Sequence, residues 1–237
     1  MYIPVAIACI YLASIVLGRR YMRDRDPFDV TRFLGSWNVA LAAFSLVGSV
    51  RTVPHLLFNL IQFDRPQSTS LCSDPMSDWG SSATGVWVLL FVISKIPELF
   101  DTWFIVVRKK PLLFLHWYHH VTVMLFCWHA YATMARNALY FIAMNYSVHA
   151  VMYTYFAMMA FRVKPRWFNS NWITIAQILQ MIVGTCVQVA SFVLLWTKPD
   201  CPLDASNVFA GGVMYASYFA LFVWFFTQRW KKRRKQA

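Results

Sequence analysis

The chain has 237 residues, 59% of them hydrophobic and only 14% charged, with a mean hydropathy of +0.46. A soluble domain of this length carries about 25% charged residues, so composition excludes an ordinary water-soluble fold and indicates one all-α polytopic membrane domain over residues 1–237. The apolar runs are long and do not alternate, which excludes a β-barrel, and the net charge of +12 excludes nucleic acid as a partner once its placement is considered.

Taken in order, the apolar segments are 3–17, 33–50 with an extension through Pro54 to 63, 85–107, 112–134, 139–161, 172–196 and 208–226. These are seven spans, each near the roughly 20 residues a bilayer requires. The first is short, which reads as a brief or trimmed N-terminus. A cleaved signal peptide is the rival reading. No basic residue precedes the run while Arg19 and Arg20 follow it, and this disfavours cleavage. Pro97 predicts a kink in the third segment. Residues 54–82 read only as a lumenal excursion.

The basic residues fall on alternate connections. Arg19, Arg20, Arg23, Arg25 and Arg32 form one group; Arg108, Lys109 and Lys110 a second; Arg162, Lys164 and Arg166 a third; Arg229 and residues 231–235 the last. Together these hold 17 of the 22 basic residues, against Arg65, Arg136 and Lys198 on the other side. The positive-inside rule then places the N-terminus in the lumen and the C-terminus in the cytosol. The basic tail reads equally as an imperfect retrieval signal for the endoplasmic reticulum or as simple headgroup attraction. Of five cysteines, only Cys72 and Cys201 lie in loops, and both loops fall on the lumenal side. That compartment permits a disulfide, so a Cys72–Cys201 bond is expected, with two free thiols as the alternative. Asn145-Tyr146-Ser147 fits a glycosylation pattern but lies mid-span, out of reach.

Ionisable groups inside the spans carry the functional signal, because they are costly in hydrocarbon. Lys95, Glu98, Asp101 and Thr102 share one helical face, as do His116, His119 and His120. Asn145, His149, Met152 and Tyr153 share a face in the fifth segment, and Thr174, Gln177 and Gln180 in the sixth. Counted inward from the basic loops, Asp101 and Glu98 lie about 10–15 Å deep, the histidine triplet about 9–15 Å, Gln177 about 16 Å and His149 about 20 Å. Four helices placing polar faces in one layer indicate a shared cavity, open to the cytosol and closed toward the lumen. Lys95 and Glu98 read first as a buried ion pair, Asp101 as a carboxylate orienting a histidine ring, and Asn145 and Gln177 equally as interhelical glue. His55 and His129 read as structural.

The histidine triplet has three readings. His-x-x-His-His resembles one box of the membrane di-iron oxygenases, which makes a lipid desaturase or hydroxylase the alternative, but with six histidines in all, two of them misplaced, one box is too few ligands for two irons unless carboxylates substitute. A merely structural polar core leaves three costly side chains unexplained. Acid–base or nucleophilic catalysis by imidazole suits the burial, the carboxylates and His149. A non-catalytic seven-helix receptor or transporter gives no reason for the four-motif layer.

These motifs together carry a family resemblance. Lys95-x-x-Glu98-x-x-Asp101-Thr102, His116-x-x-His119-His120, Asn145-x-x-x-His149-x-x-Met152-Tyr153 and Thr174-x-x-Gln177-x-x-Gln180 stand in the order seen in the eukaryotic fatty-acid elongases. His-Trp-Tyr-His-His followed by Val-Thr-Val is most similar to the branch acting on saturated and monounsaturated chains such as palmitoyl-CoA. Phe100 and Trp103 depart from that branch and bear on chain-length preference. The resemblance implies condensation of acyl-CoA with malonyl-CoA to 3-oxoacyl-CoA, carbon dioxide and CoA, without a cofactor or metal. It implies that segments two to seven form an inverted barrel around an acyl tunnel in the endoplasmic reticulum membrane. It favours histidine chemistry, with His119 as acyl acceptor, His149 as base or enolate partner, and His116, His120, Asp101 and Asn145 in support; direct attack of the malonyl-derived carbanion on the thioester, with the histidines only as acid–base groups, is the rival that the sequence does not separate. Lys95, Glu98, Tyr153, Gln177, Gln180, Lys109 and Arg166 are the candidate substrate contacts. The reductases and dehydratase of the elongation cycle, and a second copy of the chain, are the candidate protein partners.

Overall fold

The structure is a computed structural model that describes residues 2–61 and 71–234, without the side chains of 222, 225, 226 and 228–234. Arg65, the end of the basic tail and the side chain of Arg229 therefore lie outside the described residues. The described residues form the helices α1 (Tyr2–Tyr21), α2 (Thr31–Ile61), α3 (Ala83–Ser94), α4 (Phe100–Val107), α5 (Phe114–Ala132), α6 (Ala138–Ala160), α7 (Ser170–Thr197) and α8 (Ala205–Arg234).

Each expected segment corresponds to helix. The second is longer than its apolar core, because α2 runs through Pro54 to Ile61 without ending. The third is broken as Pro97 predicts: a 3₁₀ turn, Pro97–Leu99, joins α3 to α4. Proline supplies no N–H to the α-helical ladder, so the chain turns more tightly there. Among the described residues, four stretches are long and apolar enough to cross a membrane, namely α1, α2, the combined Ala83–Val107 and α7. The polar layer lowers the hydropathy of α5 and α6, which is why they fall outside that group.

Helix ends follow local chemistry. Ser82 caps α3 by accepting from the Thr84 N–H at 3.2 Å, and Asn169 caps α7 by accepting from Asn171 at 2.8 Å. Ahead of α8, bonds from the Ser206 hydroxyl and the Asn207 N–H hold the Asp204 carboxyl below the usual carboxylate range. Three helices end on a residue in the left-handed region: Lys109 after α4, Met134 after α5 and Arg162 after α6. Each is followed by a capping bond, Lys110 N to Ile105 O, Ala135 N to Ala130 O and Val163 N to Met158 O, at 2.8–3.0 Å.

Packing order runs α2 to α3, α3 to α5, α5 to α8, α8 to α7, α7 to α6 and α6 back to α2. Outside this circuit, α1 lies against α4 and α5. The tightest seam is the antiparallel pair α2 and α6. Gly48 faces Tyr146, Gly35 faces Phe161, and Ser49 and Ser147 bond at 2.8 Å. Small residues let helices approach in lipid, where there is no water-driven force between them. Ser147 is thus spent on a helix contact, consistent with its reading as no glycan site. Cys72 and Cys201 are disulfide-bonded, as the topology predicts; Cys9, Cys127 and Cys186 are free.

A Cβ on Gly48 would lie 2.5 Å from the Tyr146 ring. Gly48→Leu should therefore destabilise the protein by about 1–3 kcal/mol or more, read as a lower thermal midpoint in detergent. An unchanged midpoint would contradict this description of the seam.

Candidate active site

The expected polar layer begins with a broken helix. The turn at Pro97–Leu99 brings Lys95 and Glu98, both buried, into register. Lys95 Nζ donates to Glu98 Oε1 at 2.7 Å and Oε2 at 3.0 Å, and Ser94 Oγ donates to Oε1 at 3.0 Å. Lys95 Nζ also donates to Asn145 Oδ1 on α6 at 3.1 Å and lies 4.0 Å from the Phe91 ring centre. A cation accepted by Oδ1 fixes the amide orientation of Asn145. Its Nδ2 is then the donor toward His149 Nε2 at 3.2 Å. His149 consequently carries its proton on Nδ1, which lies 3.9 Å from Glu98 Oε2. One buried ion pair thereby sets the tautomer of an imidazole on another helix.

Asp101 differs from its expected role. Its carboxylate accepts no histidine N–H; it accepts Trp37 Nε1 and the Tyr153 hydroxyl, each at 2.8 Å. The imidazole of His116 is met instead by Thr102, whose Oγ1 lies 3.1 Å from His116 Nε2 and 2.6 Å from the Tyr11 hydroxyl. The physical reason is rotational. One residue apart on α4, Asp101 faces α2 and α6 while Thr102 faces α5 and α1. Trp37 and Tyr11 were not legible as site partners, because single aromatics in apolar helices look like any others.

On α5 the three imidazoles lie together. Ring centres are 4.6 Å apart for His116 and His120, and 5.7 Å for His119 and His120. The Tyr218 ring of α8 lies 5.2 Å from that of His119, and its hydroxyl is 2.6 Å from Thr122 Oγ1. Among the described residues, His119 and His120 keep both ring nitrogens free of hydrogen bonds, whereas His116 and His149 are engaged. No three His, Cys, Asp or Glu side chains among the described residues converge as a metal-binding set.

These groups surround one cavity of about 990 Å³. Asp101, His116, His119, His120, Asn145, His149, Tyr153, Gln177 and Gln180 all line it. Arg108, Lys110 and Arg162 line one end, on loops read as cytosolic. At the other end its walls are Trp79, Val88, Phe91, Ala130, Ala138 and Ile142. Cys127 lies between, on the apolar side of the histidines. Lys95 and Glu98 stand behind the wall. Lys109 is elsewhere: its Nζ donates to the carbonyls of Arg23 and Arg25, tying α4 to the connection after α1. Arg166 does not line the cavity either. A loop position fixes a charge's side of the membrane but not its direction, and these two side chains are not brought to the cavity wall. His55 and His129 do not line the cavity. His55 bridges Asp78 and Thr84 at 3.1 Å, and His129 meets Asn207 and Ser206.

An all-helical membrane protein with an imidazole layer inside a cavity, cationic at one end and apolar at the other, falls in the class of integral-membrane enzymes that act on acyl chains. The chain belongs to the ELO family, described as GNS1/SUR4, whose model matches residues 1–237. It is similar to very long chain fatty acid elongase 6 of Drosophila melanogaster, 42% identical over 92% of this chain and 68% of that protein. The Gallus gallus and Homo sapiens proteins of the same name are 41% and 40% identical, each over 92% of this chain and 81% of theirs. The chain is thus a multi-pass membrane protein and a fatty-acid elongase, a condensing enzyme with 3-oxoacyl-CoA synthase activity. The desaturase alternative gives way to this family.

Removing one partner of a buried pair strands the other charge, at a cost of about 3–5 kcal/mol. Lys95→Met should lower the thermal midpoint in detergent sharply, and Lys95→Met with Glu98→Leu should recover much of the loss. Equal loss in single and double variants would contradict a stranded charge as the cause.

Proposed function

We propose that the enzyme extends saturated and monounsaturated acyl-CoA of palmitoyl length by two carbons, in the endoplasmic reticulum membrane. The similarity to elongase 6 proteins supports the chain class. As one domain over 1–237, the chain crosses the bilayer seven times, with α3 and α4 as one span, the N-terminus lumenal and the C-terminus cytosolic. The alternation of basic loops supports this orientation. The closed packing order of α2, α3, α5, α8, α7 and α6 supports an inverted barrel around an acyl tunnel, with α1 outside it.

The observation that carries the mechanism is the unengaged imidazole of His119 in the wall between a cationic and an apolar end. In this reading the CoA phosphates meet Arg108, Lys110 and Arg162, and the acyl chain extends past the histidines. A ring nitrogen of His119 attacks the thioester carbonyl. The carbon–sulfur bond breaks, CoA leaves as thiolate and takes a proton, and an acyl-imidazole remains. Malonyl-CoA then loses carbon dioxide, and its carbanion attacks the acyl carbon. The acyl–nitrogen bond breaks, and the leaving imidazolate takes up a proton from solvent, giving 3-oxoacyl-CoA and neutral imidazole.

His149, held by Asn145, Lys95 and Glu98, serves the malonyl half as base or enolate partner. Asp101 holds Tyr153 edge-on to His149, with ring centres 5.3 Å apart. His116 and His120 support the acyl site, and Gln177 and Gln180 offer amides to the substrate. The 3-oxo product requires a ketone reduction, a dehydration and an enoyl reduction, so the enzymes of those steps are the expected neighbours.

Purified enzyme given palmitoyl-CoA and radiolabelled malonyl-CoA should form labelled 3-oxoacyl-CoA. His119→Ala should reduce this by at least about a hundredfold. Full activity of His119→Ala would remove His119 from the acceptor role.

A further inference from the structure

The apolar end of the cavity is lined in part by an element that the chemistry does not use. Trp79 lines that end and is 2% exposed. It belongs to no spanning helix. It sits on the single π-helical turn Met76–Gly80, between α2 and α3.

Restraints from several directions hold this turn. On the α2 side, Asp78 Oδ1 accepts from Asn59 Nδ2 at 2.7 Å and lies 3.1 Å from His55 Nε2. The Trp79 carbonyl accepts the Ser82 N–H at 3.2 Å and the Ser82 hydroxyl at 2.7 Å. At the start of α3, a Cβ on Gly85 would lie 2.4 Å from Gly80 O and 2.8 Å from Trp79 O. Only glycine permits that approach. Upstream, Cys72 is bonded to Cys201 of the connection between α7 and α8. Arg136, just before α6, donates to Cys72 O at 2.8 Å and to Pro202 O at 2.9 Å. A spanning helix presents its side chains sideways to a tunnel. A braced turn can lay an indole across its end.

The distance to that indole is set by two helices that agree. His119 and Ala130 on α5 are eleven residues apart, as are His149 and Ala138 on α6. Each interval is about 16 Å at 1.5 Å per residue. An extended hydrocarbon with C–C bonds of about 1.5 Å advances about 1.25 Å per carbon, so about 13 carbons fit between the imidazoles and the tunnel end.

We infer that Trp79 is the chain-length stop of the enzyme, an indole braced across the end of the acyl tunnel by the turn that carries it. This rests on the reading of the cavity as an acyl tunnel and names the residue that sets its length. A chain of myristoyl to palmitoyl size reaches the indole, and a longer one meets it. Trimming the indole lengthens the tunnel, while enlarging Ala138 beside it shortens the tunnel.

The test is a rate series from lauroyl-CoA to eicosanoyl-CoA with radiolabelled malonyl-CoA, using the full-length wild type, Trp79→Ala and Ala138→Leu. With Trp79→Ala, the rate on stearoyl-CoA relative to palmitoyl-CoA should rise about tenfold or more, the discrimination typical of added methylenes in an apolar pocket. With Ala138→Leu, the preference should move to shorter chains. Where Trp79→Ala does not fold, Trp79→Phe is read by the same ratio, and a rise supports the inference. An unchanged ratio in the folded Trp79 variant overturns it, even if Ala138→Leu shortens the preference. Wild type that extends no chain at all would instead overturn the elongase reading, so the two failures are distinguishable.

Discussion

The structure depends on one constraint: a charge or polar group placed among apolar helices must be answered from within the protein. Lys95 and Glu98 illustrate it. Each would be costly alone. Together they form a bonded pair whose remaining capacity reaches Ser94, Asn145 and the His149 ring. The pair makes one helix's break and another helix's imidazole parts of a single arrangement. Asp101 follows the same logic, with both oxygens taken by Trp37 and Tyr153 from different helices. These groups find their partners in one another across neighbouring helices, and several of them line the cavity.

Packing supplies the rigidity that such a layer needs. The α2–α6 seam sets Gly35 and Gly48 against the Phe161 and Tyr146 rings and Ser49 against Ser147, and it holds one wall of the cavity close. Tyr146, fully buried there, also donates to Trp87 O on α3 at 2.9 Å. The opposite wall is joined through Tyr218 and Tyr118 of α8 and α5, with Tyr118 donating to Ser217 at 3.0 Å. On the side read as lumenal, the disulfide and Arg136 knit together the connections near the apolar end of the cavity. The cationic end has no comparable crosslink among its lining residues, consistent with a mouth through which a large, charged substrate enters.

Much of this is legible in the sequence. Span lengths, the alternation of basic loops and the break at Pro97 are local properties. Helical spacing alone groups the residues of each motif on one face, and depth counting aligns the four faces. What spacing does not give is the partner across a helix boundary. The step from Asp101 to Thr102 is one residue and about 100° of rotation, and it decides which of them meets His116. Lys109 and Arg166 lie off the cavity wall for the same reason, since a charge in a loop has its side defined but not its bearing. Trp37, Tyr11 and Tyr218 carry no sequence mark that separates a site aromatic from one facing lipid. Trp79 was hidden because the 54–82 stretch has no periodicity from which to read it.

The central claim is that His119 carries the acyl group in a covalent intermediate. Intact-protein mass spectrometry of the enzyme incubated with palmitoyl-CoA, with malonyl-CoA withheld, tests it most directly. An acyl-imidazole intermediate gives an added mass of one palmitoyl group, one CoA released per enzyme, and a fragment map placing the group on His119. An adduct on Cys127, or no adduct in an enzyme that still condenses once malonyl-CoA is supplied, would contradict it.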